Sequence, residues 1–202
     1  MFLLNWIVAH MTLMNALGTL LWMCGPTVDG WLYESTDLSD EARNLRVFLV
    51  GLLAWLVTCL TIGRVQQMIL GALPLNTRWW TLYLLISSIF GGLVFILVVT
   101  TDFRFSLSGG VVLPFFMAGL TIGALQASAL TWNFPRVLSF GLATGGGFVL
   151  GVVCWLLVLI RIDQIYNLSP GLIVNGFAIG AGVYASVTGL CLIAFASRAP
   201  TP

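Results

Sequence analysis

Six apolar runs, at about residues 3–24, 46–72, 79–100, 111–132, 136–161 and 171–196, account for most of this 202-residue chain, with short polar or proline-bearing breaks between them. Each is long enough to cross a hydrocarbon layer, which takes roughly 20 helical residues at about 1.5 Å apiece. Backbone amides in lipid find no water, so such a run has to satisfy its own hydrogen bonds as a helix. The expected fold class is therefore all-α, a polytopic membrane helix bundle of six transmembrane helices, with residues 1–202 as a single integral membrane domain. Charged residues make up 7% of the chain, against about 25% in a soluble domain, which excludes a soluble fold.

Local signals place the helix starts. Ser39, Asp40 and Glu41 offer a capping hydroxyl and two acids to a helix that begins ahead of the second span, while Pro114, Pro135 and Pro170 suit first turns. Met1 to Cys24 lacks a basic leader and is long enough to span, so it reads as a retained first helix rather than a cleaved signal. Six crossings put both termini on one side, with Arg78, Arg136, Arg198 and, nearest to it, Arg64. All seven acids, Asp29, Glu34, Asp37, Asp40, Glu41, Asp102 and Asp163, fall on the other side with Arg43, Arg46, Arg104 and Arg161. Arginine counts tie, but the connections on the terminal side are the short ones, and the expectation is an inner (plasma) membrane protein with both termini cytoplasmic.

Composition removes several functions. A net charge of +1 gives no field for nucleic acid, so no nucleic-acid partner is expected. All eight basic residues are arginine, which excludes a Schiff-base lysine. Cys24, Cys59, Cys154 and Cys191 show no CxxC spacing. Ser108, the plausible serine nucleophile, lies in an outer loop, whereas His10 belongs near the opposite face, roughly 15–20 Å away by helix rise. There is no HExxH, P-loop or dinucleotide fingerprint, and no enzyme is expected. The acidic outer segment from Gly25 to Leu45, with Trp31 and Tyr33, lacks the EF-hand spacing and reads as a wet loop with interfacial aromatics; no metal site is expected.

The most informative pattern is internal. Leu60-Thr61-Ile62-Gly63, followed by Gln66 and Leu70, recurs sixty residues later as Leu120-Thr121-Ile122-Gly123, Gln126 and Leu130, and the same offset carries Gly91 onto Gly151. A fainter copy, Ala178-Ile179-Gly180, has Val183 at the position of the glutamine. The unit is a two-helix hairpin, with copies at approximately 1–75, 76–133 and 134–198 and approximate symmetry about the membrane normal. Gly63, Gln66 and Leu70 share one helical face, as do Gly123, Gln126 and Leu130. GxxxG pairs at Gly119/Gly123, Gly141/Gly145, Gly147/Gly151 and Gly176/Gly180 mark spans four to six as closely packed. This Gly-x-x-Gln-x-x-x-Leu unit, with Trp79-Trp80 near the next span, resembles a broad set of uncharacterised bacterial integral membrane proteins built from such hairpins. The resemblance covers about two-thirds of the chain; it implies a bundle in a bacterial inner membrane and carries no activity to transfer.

Three polar features invite functional readings. Arg64 either snorkels to the interface or contacts an anionic ligand. His10 is either a hydrogen-bonded structural residue or a cofactor-binding axial ligand to a haem or chlorophyll-type centre, though no cofactor is required by the sequence. Gln66 and Gln126 are either packing glue or, with Arg64, the substrate-binding lining of a midplane site. Two classes follow: a non-catalytic structural or accessory component, partnered by the bilayer and by another membrane protein or copies of itself, or a small transporter or channel.

Overall fold

A computed structural model describes residues 1–33, 40–100, 112–131, 133–163 and 170–197. Within these, the side-chain surroundings of residues 18, 21–33, 40–41, 43–44, 47, 99–100, 158–163 and 170–177 are left undescribed. Six helices follow in order: α1 (Phe2–Tyr33), α2 (Asp40–Leu70), α3 (Trp80–Thr100), α4 (Val112–Ser128), α5 (Phe134–Asp163) and α6 (Pro170–Ala196). No strand occurs among the described residues. Four helices hold stretches long and apolar enough to cross a membrane: Phe48–Leu70, Trp80–Val98, Phe134–Leu157 and Ala178–Ala196. The apolar stretches of α1 and α4, Phe2–Leu17 and Val112–Ser128, are shorter. The protein is thus a membrane-embedded all-α bundle.

The helix ends differ from the apolar runs where turn chemistry intervenes. Helix α2 starts at Asp40, ahead of the run at 46, because acidic residues suit a helix N-terminus whether or not they lie in lipid. Helix α4 stops at Ser128, short of the apolar run to 132. There the Ala129 amide bonds the Gln126 carbonyl at 3.0 Å and the Leu130 amide bonds that of Ala127 at 2.9 Å, tightening the last turn. Asn133 then caps α5, its Oδ1 accepting from the Arg136 amide at 3.3 Å, with Pro135 in the first turn where a missing N–H costs nothing.

Each helix lies against its neighbours in sequence, and α6 returns to α1, so the described residues form a closed ring. Trp6, Leu70, Trp80, Ala127, Phe140, Ala185, Leu192 and Phe195 make one buried cluster, with Phe2, Leu73, Leu75, Leu130 and Val137 packed against it. That cluster draws on the start of α1, the end of α2, the start of α3, the end of α4, the start of α5 and the end of α6. Successive helices therefore run antiparallel, and the described ends of the first and last helices share one face of the bundle, called here the terminal end. Along the ring axis at this end, Trp80 meets Phe140 edge-on at 6.3 Å between centroids, and Phe140 meets Phe195 at 5.9 Å.

Glycines set the closest contacts. A Cβ on Gly119 would lie 2.9 Å from the Gly145 Cα, and one on Gly145 would lie 2.8 Å from the Phe116 carbonyl oxygen. Across α5–α6 the approach is reciprocal: a Cβ on Gly151 would stand 2.8 Å from the Gly180 oxygen, and one on Gly180 would stand 2.7 Å from that of Gly151. Gly141 faces Leu120 and Ala124 of α4, whereas Gly147 faces Tyr184 of α6. Helix α5 thus offers Gly141/Gly145 to one neighbour and Gly147/Gly151 to the other. Van der Waals contact drives helix association in lipid, and small residues maximise it by letting backbones approach.

Candidate functional site

Five buried side chains, those of Trp6, His10, Gln66, Trp80 and Thr188, form a directed hydrogen-bond chain across four helices. The Trp80 indole N–H on α3 donates to Gln66 Oε1 on α2 at 2.9 Å. Gln66 Nε2 lies 2.8 Å from His10 Nε2 on α1, and His10 Nδ1 lies 2.7 Å from the Trp6 carbonyl oxygen. An amide nitrogen can only donate, so His10 Nε2 accepts, and its Nδ1 carries the proton and donates to the carbonyl. Donor and acceptor roles are consistent only for a neutral imidazole in this one tautomer. The Trp6 indole N–H in turn donates to Thr188 Oγ1 on α6 at 3.2 Å, and Thr188 donates to the Tyr184 carbonyl at 3.0 Å. Trp6, His10, Gln66, Trp80 and Thr188 are all buried, so water does not compete for these bonds.

Local sequence explains how the chain is assembled. Gly63, one turn before Gln66, sits against Thr81 and Leu84, its virtual Cβ only 2.9 Å from the Thr81 methyl, and this closeness brings the glutamine within reach of Trp80. On the other side Gly182 and Gly189 of α6 admit α1: their virtual Cβ atoms stand 3.0 Å from the Met11 sulfur and 2.7 Å from the Leu3 side chain. These two glycines, with buried Ala178 and Ala185, form a small stripe spaced by four, three and four residues. A search for GxxxG alone passes over it.

Gln126 has a different environment although its sequence setting matches that of Gln66. It is 1% exposed, and its Nε2 has no hydrogen-bond partner. Nor has Thr144 Oγ1, which lies against Gly123 across the α4–α5 contact. Phe140 stands sixty residues after Trp80, so the position that supplies an indole N–H to Gln66 supplies only a ring to its counterpart.

Arg64 does not join Gln66. Two residues apart on a helix, they point to nearly opposite sides, and Arg64 is exposed. Its Nη1 donates instead to Gln67 Oε1 at 3.4 Å. Gln67, which sequence reasoning did not single out, also accepts from Thr81 Oγ1 at 2.9 Å and donates through Nε2 to the carbonyls of Thr77 at 2.9 Å and Arg78 at 3.5 Å. Arg64, Gln66 and Gln126 therefore sit in three separate environments. Gly91 packs on Ile122 and on the Ala118 carbonyl of α4. Gly176 and the acids of the outer segments lie outside the residues whose surroundings are described, as do Cys24 and Ser108.

Chemically, this arrangement fixes helices. Both ring nitrogens of His10 are engaged, so an axial bond to a metal would need Nε2 to give up Gln66. Among the described residues no group of three or more His, Cys, Asp or Glu side chains is placed to hold a metal ion. Cys59 Sγ pairs with Ser88 Oγ at 3.4 Å between α2 and α3, a further polar tie of the same kind. Comparison with family models, with curated proteins and with solved structures gives no match for this chain.

Proposed function

We propose that this protein is a non-catalytic component of a bacterial inner-membrane complex, structural or accessory in role, built from repeated two-helix hairpins. The observation that carries the reading is the way the polar interior is used. His10, Gln66 and Trp80 are bonded to one another, and Trp6, Trp80, Phe140 and Phe195 fill the terminal end of the ring where an axial path would have to run. The repeat is supported by contact register: the virtual Cβ of Gly63 meets Leu84, and that of Gly123 meets Thr144, two pairs related by the same sixty-residue offset. Termini in the cytoplasm agree with Arg64, Arg78 and Arg136 at the terminal end.

A partner has an obvious place to bind. The rest of the chain buries 6% of the apolar stretch of α2, against 44% of that of α6. Phe48, Leu49, Leu52, Leu53 and Val57 on α2 stand exposed, as do Ile89, Phe90, Leu93, Ile96 and Leu97 on α3. Lipid covers such a surface adequately, and so does another membrane helix.

Extraction of the native membrane into lipid nanodiscs, followed by mass measurement of the intact particles, tests the proposal. The expected result is a stoichiometric second protein or a defined number of copies of this chain. A monomer whose melting temperature rises on adding one particular small solute would instead identify a carrier, and would overturn it.

A further inference from the structure

Two of the guanidinium groups at the terminal end, those of Arg64 and Arg78, have no acidic partner among the described residues. The acid nearest in sequence to Arg64 is Glu41, more than twenty residues earlier in the first turn of α2, roughly 30 Å distant by helix rise. The Arg64 guanidinium is nonetheless held close to the main chain of Arg78. The Gln67 amide receives the Arg64 guanidinium on its oxygen at 3.4 Å and reaches the Arg78 carbonyl with its nitrogen at 3.5 Å. The turn bearing Arg78 is itself fixed, by the bond from Gln67 to the Thr77 carbonyl at 2.9 Å and by the Arg78 amide donating to Asn76 Oδ1 at 3.2 Å.

The surroundings of the pair are apolar and open. The Arg78 guanidinium lies over the Trp79 ring at 5.2 Å from its centroid, and Trp79 is 51% exposed. Met68, one turn from Arg64 on the same face of α2, is 79% exposed, and Leu82, one turn beyond Arg78, is 45% exposed. Arg64 spends one of its five N–H donors on Gln67. Two cations without an acidic partner among the described residues, an interfacial aromatic ring and exposed aliphatic side chains together match one kind of molecule, a lipid with a negatively charged headgroup.

We propose that Arg64, Arg78 and Trp79 form a binding site for the phosphodiester of an anionic phospholipid in the leaflet at the terminal end. Its acyl chains lie along Met68 and Leu82. A zwitterionic headgroup brings its own cation to the two arginines and is disfavoured there. Gln67 acts as the positioning residue that brings the arginine-bearing helix and turn together. The site is independent of whether the chain serves as a component or a carrier.

The experiment is lipid retention by the purified full-length chain, read by native mass spectrometry in detergent against equimolar phosphatidylglycerol and phosphatidylcholine. The expected result is a preference of tenfold or more for phosphatidylglycerol, lost in R64Q/R78Q and kept in R46Q, which removes the same charge from the other side of the bilayer. Equal retention of the two lipids, an unchanged preference in R64Q/R78Q, or an equal loss in R46Q each overturns the proposal. If millimolar inorganic phosphate displaces the lipid preference and binds as tightly, the site is one for free anions and the lipid assignment fails. Should the double variant not fold, R78Q alone is read; it is expected to lose at least threefold, and no loss overturns the assignment.

Discussion

Replacing Gln66 with methionine keeps the side chain's length and nearly its volume while removing both of its hydrogen bonds, to Trp80 Nε1 at 2.9 Å and to His10 Nε2 at 2.8 Å. Interhelical side-chain bonds in bilayers average about 0.6 kcal/mol and reach about 1.7, so two of them contribute about 1–3 kcal/mol. The upper part of that range is expected here. Trp80 is 1% exposed and His10 6%, so each loses its partner without gaining water, and stranding a buried donor or acceptor costs about 1–3 kcal/mol. Unfolding in mixed micelles under increasing denaturing detergent measures the change, and a cycle with Trp80→Phe isolates the indole bond. The expectation is a loss of about 2 kcal/mol for Gln66→Met and a coupling of at least about 0.5 kcal/mol with Trp80→Phe, beyond the scatter of independent sites. Gln66→Met within about 0.3 kcal/mol of the parent, or a coupling of zero, would show that the buried chain does not tie α2 to the bundle.

The same measurement applied to Gln126→Met should give no loss and a gain of up to about 1 kcal/mol, because the Gln126 Nε2 already lacks a partner and an apolar replacement removes that penalty. Gly151→Ala should destabilise by about 1–3 kcal/mol, since its Cβ would stand 2.8 Å from the Gly180 oxygen on a backbone that cannot yield cheaply. Gly146→Ala, which meets nothing within 4 Å, should be neutral or gain up to about 1 kcal/mol from helix propensity. Equal effects at the two glycines would argue against close helix approach as the source of stability. His10 is the only histidine, so nitrogen-15 spectra of labelled protein report its tautomer without assignment, and a proton on Nδ1 with none on Nε2 is expected. A proton on Nε2 would mean that the amide of Gln66 points the other way and that the bond to Trp80 is absent.

Much of the bundle was legible residue by residue. Asn133 ahead of Pro135 marks the start of α5, and Asp40 with Glu41 marks a helix that opens before its apolar run. Less legible was the extent of α1, which continues to Tyr33 past a run that fades near Cys24, because helix continuation needs backbone hydrogen bonds rather than apolar side chains. Gln67 escaped notice because its partners are mainly main-chain carbonyls in a turn, and no side-chain pattern announces those. The α6 stripe through Gly182 and Gly189 escaped because it alternates glycine with alanine, and the two are nearly equivalent for close approach only once a neighbour is in place.

What the amino-acid order determined alone is the solvent and the secondary structure. Six runs too apolar for water and too long for anything but helices leave a bilayer as the only medium, since lipid offers backbone amides no other partner. It did not determine which way each helix faces. Lipid is as apolar as the bundle interior, so hydrophobic periodicity carries little of the facing information it carries in a water-soluble helix. Only the tertiary structure decided that Gln66 is bonded and Gln126 is not. Their local sequences agree, but the partners of Gln66 lie 56 residues earlier at His10 and 14 later at Trp80, and the corresponding helix around Gln126 presents a phenylalanine.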